Sequence, residues 1–153
     1  MTTITGAWSE IRLEDFLEES RVPIRLATHR GDGSLWMVAL WYRYRNGSLE
    51  CATWSNAHIV RYLESDPEVA FDISTNQPPY RGVRGNGTAT LSTDRAKATL
   101  EALIERYLGD TESALAEWLL HDAREEMRIR VQPNEMYSWD YTDRMRDLGD
   151  STP

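Results

Sequence analysis

The chain has 153 residues and a formal charge of −8 at pH 7, with 17 basic and 25 acidic side chains. This length suits one domain with a sizeable core, and the negative charge argues against nucleic acid or an anionic membrane as the main partner. No apolar run is long enough to span a membrane, the N-terminus lacks a secretory pattern and Cys51 is the only cysteine, so we expect a cytoplasmic protein without an intrachain disulfide.

Turn signals divide the first half of the chain into one helix and three strands. Ser9 is a typical N-cap and predicts a helix over 10–19 that buries Ile11, Phe16 and Leu17. The sequence Gly-Asp-Gly-Ser at 31–34 and the Asn-Gly pair at 46–47 are both typical of tight turns. They separate strands predicted over 24–29, 35–44 and 49–53.

The second half begins with a short helix predicted over 56–64, followed by strands over 69–73 and 83–91. Gly85 and Gly87 predict a bulge, or a close approach by another group, in the latter strand. Thr93 is expected to cap a helix that ends at Gly109, and a second helix over 112–125 is expected to bury Leu115, Trp118 and Leu119. Two further strands, 127–131 and 136–141, complete a mainly β, antiparallel barrel with flanking helices, and 144–153 is predicted to be a polar tail.

Several catalytic and metal motifs can be set aside. The glycines at 82, 85 and 87 do not have the spacing of a dinucleotide fingerprint, and a strand follows where that motif needs a helix. Ser55, His58 and Asp66 could be combined into a triad on paper, but no nucleophile-elbow sequence supports it. The three histidines lack metal-ligand spacing, so we expect no protein metal site.

The remaining chemistry lies in arginines and aromatic residues. Arg25, Arg81 and Arg84 fall within or beside strands, where a guanidinium could bind phosphate oxygens, although pairing with the many carboxylates is the simpler explanation for each. Six aromatic residues could form the walls of a flat heteroaromatic site, or could equally pack in the core or at a dimer interface. They are Trp36, Trp41, Tyr42, Trp54, Tyr80 and Trp139.

The order of several short motifs resembles one family. These are Arg25-Leu-Ala-Thr28 before the Gly-Asp-Gly turn, Leu40-Trp-Tyr42, Thr53 before a helix ending at Leu63, Asp66-Pro-Glu-Val69, Tyr80-Arg-Gly-Val83 and Gly87-Thr-Ala89. In this order and spacing they are similar to the FMN-binding split-barrel proteins related to pyridoxamine 5′-phosphate oxidase. The resemblance covers nearly the whole chain and implies one split-barrel flavin-binding domain over 1–143.

The resemblance implies a homodimer with two cofactor sites at the interface, the phosphate lying against the third strand and the start of the following helix. Carried over by position, Thr53 and Ser55 match the strand end that bonds the cofactor, and His58 lies among the phosphate-helix positions. Gly82 and Val83 match the adjacent strand. Trp139 matches the C-terminal aromatic residue that reaches the partner's site. Trp41 and Tyr42 are further candidates for cofactor binding.

Two departures from the family concern the phosphate. The family commonly has Ser, any residue, then Lys where this chain has Ala57, His58 and Ile59, and it often has an arginine where this chain has Trp36-Met37. Each lost charge-assisted contact costs about 1.5–3 kcal/mol, or roughly one to two decades of affinity. Our hypothesis is that Arg25, Arg81 or Arg84, together with His58, binds the anion instead.

Three functions follow from the resemblance. The first is an FMN-dependent oxidoreductase acting on a small organic acceptor, and the second is a reductase that uses a deazaflavin, whose longer anionic tail would need further cations such as Arg61. The third is a flavin- or haem-binding protein without turnover, in which His58 would be the haem ligand. Pyridoxamine phosphate oxidation itself is not expected, because the basic C-terminal sequence of that enzyme is absent.

Overall fold

The computed structural model describes residues 1–121 and 123–150. Its first half contains β1 (Thr3–Gly6), α1 (Glu10–Glu19), β2 (Ile24–His29), β3 (Leu35–Leu40), β4 (Arg43–Arg45), β5 (Ser48–Trp54) and α2 (His58–Ser65). Its second half contains β6 (Glu68–Ser74), β7 (Arg81–Thr93), a 3-10 turn (Arg95–Lys97), α3 (Ala98–Leu108), α4 (Ala114–Leu119), β8 (Glu126–Asp140) and α5 (Thr142–Asp150). None of the described helices is long and apolar enough to cross a membrane.

The strands form one sheet in the order β3-β2-β6-β7-β8-β5-β4. All neighbours along this path are antiparallel, and β1 joins the sheet beside β8 in parallel. Strands β3 and β5, which are far apart in this order, also contact each other. The sheet therefore curls until these two strands meet, which gives a barrel with a cleft between β3 and β5.

Glycines allow the long β7–β8 pair to curve. The register shifts between Asn86, which pairs with Glu135, and Gly87, which pairs with Pro133, so the extra residue is Asn134 on β8 and not a residue of β7 as predicted. The predicted alternative, a close approach at Gly85 and Gly87, is confirmed. A Cβ at Gly85 would lie 2.1 Å from the Glu135 carbonyl oxygen and 2.9 Å from the Phe71 ring, so only glycine fits there. Pro133 lies opposite Gly87, beside the bulge, where a missing backbone N–H is tolerated. Because β8 pairs with β7 on both sides of this register shift, the two strands predicted over 127–131 and 136–141 form one continuous strand, β8.

The core lies inside the barrel and beneath α1. Ser9 caps α1 as predicted, since its side chain accepts a hydrogen bond from the Arg12 N–H. Leu13, Phe16 and Leu17 are the buried residues of this helix, whereas Ile11 is 74% exposed. The prediction that Ile11 is buried is wrong because this residue lies about 140° around the helix from Phe16.

The helical region after β7 differs most from the prediction. Thr93 still belongs to β7, and Asp94 is the capping residue, its carboxylate accepting hydrogen bonds from the backbone N–H of Thr99 at 2.9 Å and of Leu100 at 3.0 Å. Helix α4 has only six residues, and Ala116 is its buried residue. Leu115 and Trp118, which we expected to be buried, are exposed, and Leu119 is only partly buried. The predicted polar tail begins within helix α5, and its last residues, 151–153, lie outside the described residues.

Candidate functional site

Helix α2 begins at the end of strand β5 without a capping side chain. Its N-cap is Ala57, which has extended backbone angles and no side-chain hydrogen bond, and its first turn has no acidic residue. A turn of the chain leads into it, with the Ala57 N–H bonded to the Trp54 carbonyl at 2.9 Å. The Val60 N–H bonds to the Ala57 carbonyl at 3.1 Å, but among the described residues the His58 and Ile59 N–H groups have no acceptor, which is an arrangement that suits an anion.

Aromatic rings and cations surround this helix start, and we call them the α2 cluster: Arg30, Trp36, His58, Arg61 and Tyr62. The Trp36 ring lies 6.4 Å from the His58 ring and 5.9 Å from the Tyr62 ring, centroid to centroid. Arg30 lies over Trp36 at 5.7 Å, and Arg61 donates a hydrogen bond to His58 Nδ1 at 3.0 Å. Among the described residues no carboxylate oxygen lies within 4.0 Å of either guanidinium, so both charges are available to a ligand.

Strand β3, which contributes Trp36, presents apolar side chains to solvent. Leu35 and Met37 are 70% and 63% exposed. Consecutive exposed apolar residues on an edge strand are unusual for a monomer surface and mark a surface that binds something. Their side chains lie on the opposite face of β3 from Trp36, next to His29 and Ala27 of β2. The aromatic surface of the α2 cluster is therefore Trp36 itself, which is 37% exposed.

The cleft between β3 and β5 opens into a cavity of about 390 Å³ that helices α3 and α4 close. It is lined by Pro23, Ala39, Leu40, Trp41, Ala52, Thr53, Leu100, Leu103, Leu115, Leu119, Arg124 and Glu126. Trp41 is held in its wall by parallel stacking on Tyr107, with the ring centroids 5.1 Å apart. This volume is within the range of small-molecule sites, and the walls are apolar except at one end.

The polar end of the cavity is an ion pair. Arg124 Nε lies 2.6 Å from Glu126 Oε1, and the Glu126 side chain is completely buried. Burial raises the pKa of Glu126 above its ordinary value, while the charge of Arg124 acts in the opposite direction. The direction of this shift follows from the cost of burying the charged form of a carboxyl group.

A second cavity, of about 530 Å³, lies on the outer face of the sheet, and we call it the arginine groove. Arg25, Asp72 and Arg84 occupy one row of the sheet there, as neighbours on β2, β6 and β7. Arg84 lies over the rings of Tyr137 and Trp139 at 4.8 and 5.3 Å. In the part of the chain that the structure describes, neither arginine has a carboxylate oxygen within 4.0 Å, so the groove holds two further unpaired cations.

The residues predicted for the site are thus divided between three regions. Trp41 and Thr53 line the cavity in the cleft, and His58 belongs to the α2 cluster next to Ser55 and Ala57. The arginine groove contains Arg25 and Arg84, and Trp139 lies outside its lining, under the Arg84 guanidinium. Arg81 is partly buried and opposes Asp140, whose pKa stays low despite burial because Thr142 and Trp8 donate hydrogen bonds to it and Arg81 is near.

Four predicted residues do not offer side chains to a ligand in this structure. The side chains of Ile59 and Val83 pack in the core. Tyr42 is fully buried, its hydroxyl donates to the Leu17 carbonyl at 2.8 Å, and burial raises its pKa to about 12. A Cβ at Gly82 would lie 2.5 Å from the Ile73 carbonyl oxygen, so this residue is glycine because two strands approach closely. Tyr42, in the short connection between β3 and β4, and Val83, on β7, are therefore structural residues, since both side chains are fully buried in the core.

Sequence reasoning missed Arg30, Tyr62, Arg124 and Glu126, and it considered Arg61 only for a deazaflavin tail. The three- and four-residue spacing of His58, Arg61 and Tyr62 was a usable signal, because it places them on one helix face. No local pattern marks Glu126, since its burial depends on the packing of α3 and α4 against β5.

No protein-family model and no curated protein matches the chain, but solved structures do. A conserved hypothetical protein from Mycobacterium tuberculosis is 24% identical with a TM-score of 0.73, and the alignment covers 96% of this chain and 90% of that one. An F420 reductase is 23% identical with a TM-score of 0.65, covering 80% and 94%. A candidate pyridoxamine 5′-phosphate oxidase from Listeria innocua is 15% identical with a TM-score of 0.63, covering 84% and 96%. The predicted fold, a mainly β split barrel with flanking helices, is confirmed.

Proposed function

We propose, from the split-barrel fold that this chain shares with the pyridoxamine 5′-phosphate oxidase-like proteins, that it is an oxidoreductase that binds FMN and reduces a small organic acceptor. The α2 cluster is the observation that carries this proposal. It combines an uncapped helix start, two unpaired guanidinium groups and an exposed indole within one small surface.

The residues present fit a flavin phosphate. The first-turn N–H groups of α2 would donate to its oxygens, and Arg61 and Arg30 would supply the positive charge that the chain lacks at Ala57 and Ile59. Trp36 offers aromatic surface to the ring, and Thr53 and Ser55 lie at the strand end just before the helix. When bound, the cofactor supplies hydride chemistry, while the protein orients it and excludes water.

A second copy of the chain would complete this site. Edge strand β3 is exposed on both faces, since Trp36 of the α2 cluster is 37% exposed on one face and Leu35 and Met37 are 70% and 63% exposed on the other, so a monomer would leave this strand open to water. We therefore propose a homodimer in which the partner subunit covers strand β3. Each subunit alone would then contribute only part of each cofactor site.

The arginine groove favours a second candidate, a deazaflavin-dependent reductase. Arg25 and Arg84 are two unpaired cations that a single phosphate at α2 would not use, and the longer anionic tail of a deazaflavin would have more negative groups to place. One of the similar structures is an F420 reductase, which supports this alternative. A purely haem-binding role would instead need His58 as ligand, although its Nδ1 already accepts a hydrogen bond from Arg61.

The first experiment is the absorbance spectrum of the protein as purified, followed by titration of stripped protein with FMN and with the deazaflavin F420. Replacing Arg61 by Met is expected to weaken FMN binding roughly tenfold or more, since a hydrogen bond to a charged group is lost. Arg95→Met removes an exposed arginine outside the cluster and serves as the control, with affinity unchanged.

The outcomes separate the candidates. Flavin absorbance and FMN binding that depends on Arg61 would support the first proposal. Tight binding of F420 that the double change Arg25→Met and Arg84→Met weakens, without effect on FMN, would support the second. A Soret band without flavin binding would contradict both, and so would a protein that ignores both cofactors at high micromolar concentration.

A further inference from the structure

Two large aromatic side chains lie exposed near the end of strand β5, outside the three regions described above. Trp54, the last residue of β5, is 45% exposed, and Trp118 on α4 is 63% exposed. Both line one cavity of about 430 Å³ together with His121, Ala123 and Arg124, and we call it the tryptophan pocket. Exposed tryptophans that share a concave surface mark a place where another molecule binds, and this volume is within the range of small-molecule sites.

The polar side-chain groups of the tryptophan pocket are hydrogen-bond donors. Each indole has one N–H and no acceptor, and the Arg124 guanidinium has only N–H groups. His121 Nδ1 accepts a hydrogen bond from the Ala123 N–H at 3.2 Å, so the proton of the neutral ring is on Nε2, which is therefore also a donor. None of the described residues that line the pocket is acidic.

The neighbouring backbone carbonyls already accept hydrogen bonds from the protein. The Trp54 carbonyl accepts from the Ala57 N–H at 2.9 Å, and the Trp118 carbonyl accepts from the His121 N–H at 3.3 Å. The His121 carbonyl accepts from the Arg124 N–H at 3.1 Å. A ligand of this pocket must therefore bring acceptors of its own, because donor groups on it would find few free partners.

The charge that faces the pocket is positive. The Arg124 guanidinium lies 5.2 Å over the Trp118 ring, and its closest contact with Glu126 is made by Nε at 2.6 Å. The Glu126 side chain is completely buried, whereas Arg124 is 24% exposed, and its terminal amino groups have no acceptor among the described residues. Lys97 Nζ donates to the His121 carbonyl and brings a second positive charge close by. Because a guanidinium has five N–H donors, Arg124 can bind a second carboxylate while it stays beside the first.

We propose that the tryptophan pocket binds a flat aromatic carboxylate, which accepts hydrogen bonds from the terminal amino groups of Arg124 and from His121 Nε2. Its ring lies against the Trp54 indole, since Arg124 already covers one face of Trp118. A carboxylate is an acceptor without donors, which matches a pocket that offers donors alone. The site goes beyond the proposed function and does not depend on a cofactor.

Three naphthalene derivatives of nearly the same shape separate the effect of charge from that of the ring. They are 2-naphthoate, 2-naphthamide and 2-naphthylmethylammonium, and their binding to full-length, cofactor-free protein can be measured by ligand-observed NMR. We expect 2-naphthoate to bind roughly tenfold or more tightly than 2-naphthamide, because its hydrogen bonds are charge-assisted. The ammonium compound should bind most weakly, since it meets Arg124 without an acceptor.

Variants locate the carboxylate. His121→Phe keeps a ring at an exposed position but removes the Nε2 donor, so it should reduce the preference for 2-naphthoate severalfold. Arg124→Met with Glu126→Leu replaces the ion pair by apolar residues, which is often well tolerated, and should abolish the preference while 2-naphthamide still binds. Trp54→Leu should weaken both probes alike. Arg45→Met, at an exposed position of β4, is the control and should change neither affinity.

Equal affinities for 2-naphthoate and 2-naphthamide, tightest binding of the ammonium compound, or a preference that survives in the double variant would overturn the proposal. Binding of 2-naphthoate that Arg61→Met or Arg84→Met weakens and the double variant does not would overturn it too, because the anion would then lie in the α2 cluster or the arginine groove. So would absence of 2-naphthoate binding at low-millimolar concentration. Binding through Arg124 in a protein that ignores FMN and F420 would support the pocket and contradict the proposed function, so the two are tested separately.

Discussion

Changing Ala57 to Asp should make the protein more stable and at the same time weaken cofactor binding. Ala57 has the backbone angles of an N-cap, φ −64° and ψ 145°, but no side chain that can accept from the first turn. The Val60 N–H already bonds to the Ala57 carbonyl at 3.1 Å, so an aspartate at this position would accept from the neighbouring Ile59 N–H. Alanine-to-aspartate changes at N-caps typically contribute about 0.5–2 kcal/mol, and the negative charge also suits the helix dipole.

The same carboxylate would occupy the place proposed for the phosphate. Two unit charges about 5 Å apart at an effective dielectric constant near 20 repel by roughly 3 kcal/mol, and solvent exposure reduces this to about 1–3 kcal/mol. FMN affinity should therefore fall by roughly one to two decades. Ala57→Ser is the matched control, because it adds a capping oxygen without charge and restores the hydroxyl that related proteins commonly have there. It should stabilise the helix and leave FMN binding equal or tighter.

Urea unfolding of cofactor-free protein measures the first effect, and FMN fluorescence titration measures the second. A gain of about 1 kcal/mol should raise the melting temperature by roughly 2–4 °C for a chain of this size. Unchanged FMN affinity in Ala57→Asp would refute phosphate binding at the start of α2. A loss of stability in both variants would contradict the assignment of position 57 as the N-cap of α2.

Two further predictions concern buried carboxyl groups. Asp94→Ala removes the acceptors for two backbone N–H groups at the start of α3 and should lower the free energy of unfolding by about 2–3 kcal/mol, with Asp110→Ala, an exposed aspartate, as the small-effect control in urea unfolding. Glu126 has a folded-state pKa raised by burial above its ordinary 4.5, so its carboxyl binds more protons folded than unfolded. The stability of the unchanged protein relative to Glu126→Gln should be greatest below pH 4.5 and should decrease as the pH rises through the folded-state pKa. A difference that is flat or increases over that range would contradict the assignment, and Glu125→Gln should show no such trend.

Most of the barrel could be predicted because its turns and caps are local. Ser9, Asn46-Gly47 and Gly109 each mark a boundary through their own backbone preferences, and the structure places boundaries at all three. The alternation of apolar residues in β2 likewise identifies the inward face without reference to the rest of the fold. Such features depend on a few neighbouring residues and can be read from a single sequence.

The wrong predictions concern residues whose local structure is determined by segments that are distant in the sequence. Thr93 has the chemistry of a cap, but pairing with Met127 extends β7 through it and leaves the capping role to Asp94. Leu115 and Trp118 have helical spacing, yet Ala116 is the buried residue of α4, because it is the one that packs with Leu100 and Ile104 of α3. For the same reason the sequence did not reveal Glu126, whose burial requires α3 and α4 to close over the end of β5.

The position of Ile59 explains why the cations of the proposed phosphate site are where they are. Related proteins commonly have a lysine at this place, but in this chain Ile59 is 3% exposed and packs in the core together with Leu63. A lysine here would have to bury its charge, so a positive group must come from another face of α2. Arg61 and His58 are on the exposed face, and they contact each other. In the proposed site, Arg61 and His58 therefore take the place of the residues that the family commonly has at 57 and 59.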